Sequence, residues 1–183
     1  LKKFRGNYPG VKLKISNLTT PQAIAMLKNG LADFALVTEP FNLPSDITSV
    51  KLKDINEVPV CSSEFSLETG TVLTAHQLIN YPIIGLGERT GSHKFYTDYF
   101  NASDLPFEPE IEANAADQIL PMIKSDLGIG FVPEEFLKSE DLSSLIILNI
   151  TPPIPKRSIC LLKRKGVHSG LAASELERII FLG

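Results

Sequence analysis

Residues 11–38, VKLKISNLTTPQAIAMLKNGLADFALVT, decide the fold class. Val11, Leu13 and Ile15 alternate with Lys12, Lys14 and Ser16, the period of two expected of a half-buried strand over 11–16. Past the polar NLTT, Thr19 or Thr20 is placed to cap a helix with Pro21 in its first turn. Ala23, Ile24 and Leu27 form the apolar face of that helix, and Asn29-Gly30 stops it. DFALVT (33–38) is a short apolar run of the kind buried on both faces of a parallel sheet. Strand, helix and strand in this order make a right-handed crossover.

The same alternation continues outward. Residues 40–56 hold Pro40, Pro44 and a weak strand at ITSVKL (47–52), and 58–62 is a further apolar stretch. A second series predicts helices over 74–79, 92–101 and 115–124 and strands at 81–86, 107–111, 128–132 and 145–150. Pro152, Pro153 and Pro155 then punctuate a return to a strand at 157–163 and an amphipathic helix over 169–181. Alternating strands and helices imply an α/β fold. Two such series, with a last strand and helix able to rejoin the first, predict two small α/β lobes joined by two crossings, with a cleft suited to a small ligand.

Composition narrows the function. The chain has 183 residues, 43% of them hydrophobic and 21% charged, which suits a globular protein and excludes collagen-like and disordered classes. Eighteen Lys and Arg against 21 Asp and Glu leave a net charge of -3, which counts against this segment gripping a phosphate backbone. No apolar run is long enough to span a membrane, and no secretory leader pattern opens the chain. Leu1 and Phe4, followed by Gly6 and Pro9, read as the last turn of a helix whose beginning lies outside the sequence, so the chain is expected to be a fragment. Two cysteines without a CxxC pair argue against a zinc site or disulfide scaffold and fit a cytoplasmic, reducing compartment.

Four stretches together carry a family resemblance: NYPGVKLKI (7–15), LKNGLADFALVTEP (27–40), YPIIGLGERTGS (81–92) and SDLGIGFVPEEF (125–136). In this order and spacing the chain resembles the effector-binding domain of LysR-type transcriptional regulators. The resemblance implies the fold of type 2 periplasmic binding proteins, two Rossmann-like lobes joined by two crossover strands, with the first strand and part of the first helix missing. It implies lobe I at 1–57 plus 158–183, lobe II at 58–157, and an effector between them. It also implies an antiparallel homodimer, or a tetramer in the full-length protein, with the first apolar helix and VKLKI as candidate partner surfaces. DNA would be reached only through an absent N-terminal winged helix-turn-helix. TTPQAIAMLKNGLADFALVTEP and GERTGS look most like the cysteine-biosynthesis regulators, whose effectors include sulfate-type anions and acetylated serine. Thr38 and Thr90 match the positions that face the bound anion there.

A cleft can hold an anion or carboxylate without a buried cation if hydroxyls, backbone N–H groups and helix N-termini are preorganised around it. Candidate ligand contacts are Thr19 and Thr20 at one helix start, Thr38 at a strand end, Thr90, Gly91 and Ser92 at a second helix start, and Asn114 and Ala115 at a third. Each also reads as a plain cap or strand-end hydroxyl. Thr90→Ala is expected to weaken the ligand and leave the unliganded melting temperature nearly unchanged. No nucleophile and base stand at catalytic spacing, and His76, His93 and His168 lack partners at metal-ligand spacing, so no enzyme, cofactor or metal is expected. Cys61 and Cys160 read as small buried fillers, or as a redox-sensitive pair should they lie close together. The sequence leaves two functions open: the sensing domain of a regulator, or a solute-binding protein of a transporter.

Overall fold

The structure is a computed structural model that describes residues 1–138 and 140–182. Helices α1 (Lys2–Asn7) and α2 (Thr20–Lys28) precede strands β1 (Ala35–Thr38), β2 (Ile47–Ile55), β3 (Glu57–Ser62) and β4 (Val72–Thr74). There follow α3 (Ala75–Leu78), β5 (Ile83–Leu86), α4 (Gly91–Asn101), β6 (Ile111–Ala113), α5 (Ile119–Lys124), β7 (Ile129–Pro133) and α6 (Glu134–Leu137). The last elements are β8 (Leu145–Ile147), β9 (Asn149–Thr151), β10 (Arg157–Arg164) and α7 (Leu171–Leu182). The sheets are β1-β10-β2, β6-β5-β7-β3-β8 and the pair β4-β9. The chain divides into two compact units, Leu1–Val37 with Asn42–Leu52 and Cys160–Gly183, and Thr38–Phe41 with Lys53–Ile159.

In the first unit, α2 begins where its polar residues require. Gln22 accepts hydrogen bonds from the Thr19 N–H and hydroxyl, both at 3.0 Å, so Thr19 is the N-cap. The helix ends at Gly30, whose φ of +68° suits glycine, with Leu31 N–H donating to the Met26 carbonyl at 2.9 Å. Phe4, Leu176 and Ile179 form one buried cluster of this unit, and Val11 and Leu13 pack against it. Residues 11–16, predicted as a strand, form none. Lys12 and Lys14 point outward as expected, but Ile15 is 73% exposed. The alternation here records one-sided burial, and periodicity alone does not supply a neighbouring backbone to pair with.

In the second unit, a five-stranded sheet carries side chains on both faces. β5 runs parallel to β6 and β7, while β3 is antiparallel to β7 and β8. Successive residues feed opposite cores: Ile83, Phe131 and Cys61 join the aromatic cluster of α4, whereas Ile84, Val132 and Val60 join that of α5. Burial on both faces explains the continuous apolar runs. Within the aromatic cluster the Phe100 ring stacks on Phe107 at 5.4 Å. Phe107 was expected in a strand, but that strand begins at Ile111. The predicted helix over 115–124 is a short turn over 116–118 followed by α5, with Pro121, which donates no backbone hydrogen, in its first turn. Residues 145–150 split into β8, paired with β3, and β9, paired in parallel with β4, which the sequence pattern did not single out.

Both cysteines are buried, and no disulfide links them. Burial pushes the Cys61 thiol up to about 11, with Asp126 adding to the effect. A raised thiol pKa means that the fold favours the neutral form. Its stabilising effect is therefore complete below pH 9.0, the unfolded value, and is lost as pH rises through about 11.

Replacing Phe100 by Ala should cost about 3–5 kcal/mol in urea unfolding, and a loss below about 1 kcal/mol would contradict its place in the core. Mass spectrometry after alkylation at about pH 8 should find Cys61 modified only when denaturant is present. The melting temperature should fall more steeply above pH 9.0 in the native sequence than in Cys61→Ala. Parallel slopes would show that the thiol does not contribute.

Candidate functional site

A cavity of about 160 Å³ lies wholly within the second unit. Ile84, Leu86, Ile119, Phe131, Val132 and Phe136 supply much of its apolar wall, while Thr38, Glu57, Ser92, Tyr96, Glu135 and Arg157 bring polar atoms to it. The polar centre is an ion pair: Arg157 Nη1 lies 2.8 Å from Glu57 Oε1, with the two side chains 3% and 7% exposed. Arg157 opens β10 and Glu57 opens β3, so two strand starts place opposite charges together.

Every neighbour of this pair compensates for lost water. Arg157 Nε donates to the Glu39 carbonyl at 2.7 Å and Nη1 to Ser92 Oγ at 3.1 Å, and the guanidinium lies 4.7 Å from the centre of the Phe95 ring. The Tyr96 hydroxyl donates to Glu57 Oε2 while its ring stacks on Phe131 at 4.4 Å. Burial pushes the Glu57 carboxyl up, with the Arg157 guanidinium working against it. Burial likewise pushes Arg157 down against the pull of Glu57. An arginine so placed stays charged at neutral pH.

The residues singled out from sequence fall in different places. Thr38 and Ser92 line the cavity. Thr90 is the N-cap of α4, its Oγ1 accepting the His93 N–H at 3.1 Å. Removing it should therefore lower stability by about 1 kcal/mol, in contrast to the unchanged melting expected from sequence. Gly91 is required by contact: a Cβ there would stand 2.5 Å from the Pro40 carbonyl oxygen. The backbone N–H groups of Asn114 and Ala115 already donate to Gln118 Oε1, at 3.0 and 3.2 Å. Thr19 and Thr20 belong to the first unit, where Thr19 is engaged with Gln22.

Sequence reasoning missed Glu57, Tyr96 and Arg157. Arg157 was the detectable one, a single cation at the head of the apolar strand RSICLLK. A charge at the start of a buried strand needs a partner, and Glu57, before VPVC, was in the matching position of another such strand. The assumption that no buried cation is present does not hold. Among the described residues no group of three His, Cys, Asp or Glu side chains is placed to hold a metal ion.

Residues 1–180 match the family model of the LysR substrate binding domain. A probable nitrogen assimilation transcriptional activator from Synechocystis sp. is 22% identical over 140 residues, which are 75% of this chain and 45% of that protein. The regulatory domain of CcmR from Synechocystis PCC6803, solved in complex with 2-PG, superposes with a TM-score of 0.82 at 20% identity, covering 99% of this chain and 87% of that one. The effector binding domain of QuiR, in complex with shikimate, gives 0.82 at 18% identity, covering 99% and 86%. These likenesses establish the predicted α/β architecture, that of LysR effector-binding domains with the type 2 periplasmic-binding-protein fold. The chain spans about half the length of the curated relatives it matches, 45%, 58% and 49% for three of them.

Glu57→Ala should destabilise the chain by about 3–5 kcal/mol in urea unfolding because it strands a buried guanidinium. Glu57→Gln, which keeps an acceptor oxygen for Arg157 and turns an NH2 donor toward the Tyr96 oxygen, should lose clearly less. Equal losses in the two variants would show that the carboxylate matters only as volume.

Proposed function

The chain belongs to the LysR substrate-binding domain family, and from that premise we propose that it is the effector-sensing and dimerising part of a bacterial transcription regulator. The observation that carries this reading is the family match across residues 1–180. The curated relatives are transcriptional regulators, which supports a regulator over a transporter's solute-binding protein. A built cavity of about 160 Å³ gives the sensing role a physical seat. The structural relatives CcmR and QuiR hold 2-PG and shikimate, which supports a small-molecule effector here.

The effector is a small anion or carboxylate, contacted by Thr38 and Ser92, with Gly91 and Thr90 setting the start of α4 beside it. Thr19, Thr20, Asn114 and Ala115 are secondary candidates. The effector leaves unaltered. Binding shifts the balance between conformations by as much as its affinities for them differ, and the shift is read out at DNA by a winged helix-turn-helix outside this chain. Such a domain works in the cytoplasm, where DNA is. It acts as a homodimer, with tetramers in the longer protein. Exposed Ile15, Leu18, Leu31 and Leu36 in the first unit support an apolar partner surface.

Sedimentation of the isolated chain should give twice its mass of 20.1 kDa, and Leu31→Asp should shift it toward monomer. A thermal-shift screen with sulfate, thiosulfate, O-acetylserine, amino acids and aromatic carboxylates should raise the melting temperature with at least one compound. A strict monomer that no compound stabilises would overturn the reading.

A further inference from the structure

The lining of the cavity is unbalanced in hydrogen-bonding capacity. Its carboxylates are engaged: Glu57 accepts from Arg157 and Tyr96, and Glu135 pairs with Lys53. Its donors are not all engaged. Arg157 uses Nε on the Glu39 carbonyl and Nη1 on Glu57 and Ser92, so Nη2 and its two hydrogens meet no acceptor among the described residues. No buried side-chain nitrogen or oxygen among the described residues lacks a partner, so Nη2 is not sealed in. The Arg157 side chain is 3% exposed and lines the cavity. Ser92 Oγ, accepting from Arg157, keeps its own hydrogen to donate, and the Thr38 hydroxyl has no partner among the described residues.

Three donors around one opening ask for an acceptor group, and the surrounding charge fixes its valence. Arg157 and Glu57 together are neutral, and Lys53 is already paired with Glu135. A single negative charge on Nη2 gains a charge-assisted bond. A second would face Glu57 with no cation left to meet it, in a setting where water screens poorly. The rest of the wall is apolar, and the volume is close to the roughly 150 Å³ of cavities that admit benzene.

We propose that this cavity takes a small monocarboxylate with a compact apolar body, its carboxylate held by Arg157 Nη2 and the hydroxyls of Ser92 and Thr38. This rests on the sensing function above and names its ligand class. Arg157 is the specificity-determining residue, and Glu57 rejects dianions by its charge.

The test is calorimetric titration of the 183-residue chain with benzoate and isobutyrate, with the neutral benzamide and isobutyramide, and with inorganic sulfate and phosphate. At least one acid should bind at least tenfold tighter than its own amide and than either inorganic anion. Because Arg157 variants risk unfolding, the diagnostic variant is Thr38→Val, which exchanges a hydroxyl for a methyl group. It should weaken the acid at least threefold and leave its amide's affinity unchanged. Amides that bind as well as acids, tighter binding of sulfate or phosphate, an unchanged acid affinity in Thr38→Val, or no acid binding at millimolar concentration would each overturn the proposal. A melting shift from a neutral metabolite or a polyanion, without one from the acids, overturns the ligand class and leaves the sensing function standing.

Discussion

A buried charge pair sets the terms for the second unit. Taking Arg157 and Glu57 out of water costs several kcal/mol per ion, which their attraction offsets only when the remaining hydrogen-bonding groups are also met. Here the Glu39 carbonyl, Ser92, Tyr96 and the Phe95 ring meet them, apart from Arg157 Nη2. These residues come from the chain following β1, from α4 and from the starts of β3 and β10. Satisfying one guanidinium thus fixes four segments that are remote in sequence. Gly91 shows how tightly: the start of α4 approaches the Pro40 carbonyl so closely that no side chain fits between them.

The two cores of this unit serve that arrangement. α4 presents Tyr96, Tyr99 and Phe100 to one face of the sheet and α5 presents Ile119 and Ile123 to the other. Tyr96 has a double role, its ring stacked on Phe131 and its hydroxyl on Glu57, so packing of the aromatic core orients the polar centre. Buried tyrosine hydroxyls generally find such partners. Tyr99 does the same, donating to the Pro152 carbonyl at 2.5 Å.

The legible parts of the sequence were those where one local rule is sufficient. Asn29-Gly30 ended α2 because a left-handed residue stops a helix, and YPIIGL was a strand because both of its faces are covered. VKLKIS misled because half-burial against Phe4 produces the same alternation as a sheet. Among the candidate site residues, Thr38 and Ser92 reached the cavity through their positions at a strand end and a helix start. Glu57 and Arg157 were not legible because their meaning lies in being together, 100 residues apart. No periodicity encodes a pairing of that range, and a lone charge beside an apolar run reads as a solvated end.

The stacking of Tyr96 has an optical consequence. The chain has no tryptophan and four tyrosines, so its ultraviolet emission is tyrosine emission. One of those four phenols sits on the cavity wall with its proton directed at a carboxylate. Whatever enters or leaves that space changes the surroundings of a chromophore the protein already carries, and its occupancy is written into its own fluorescence without any added dye.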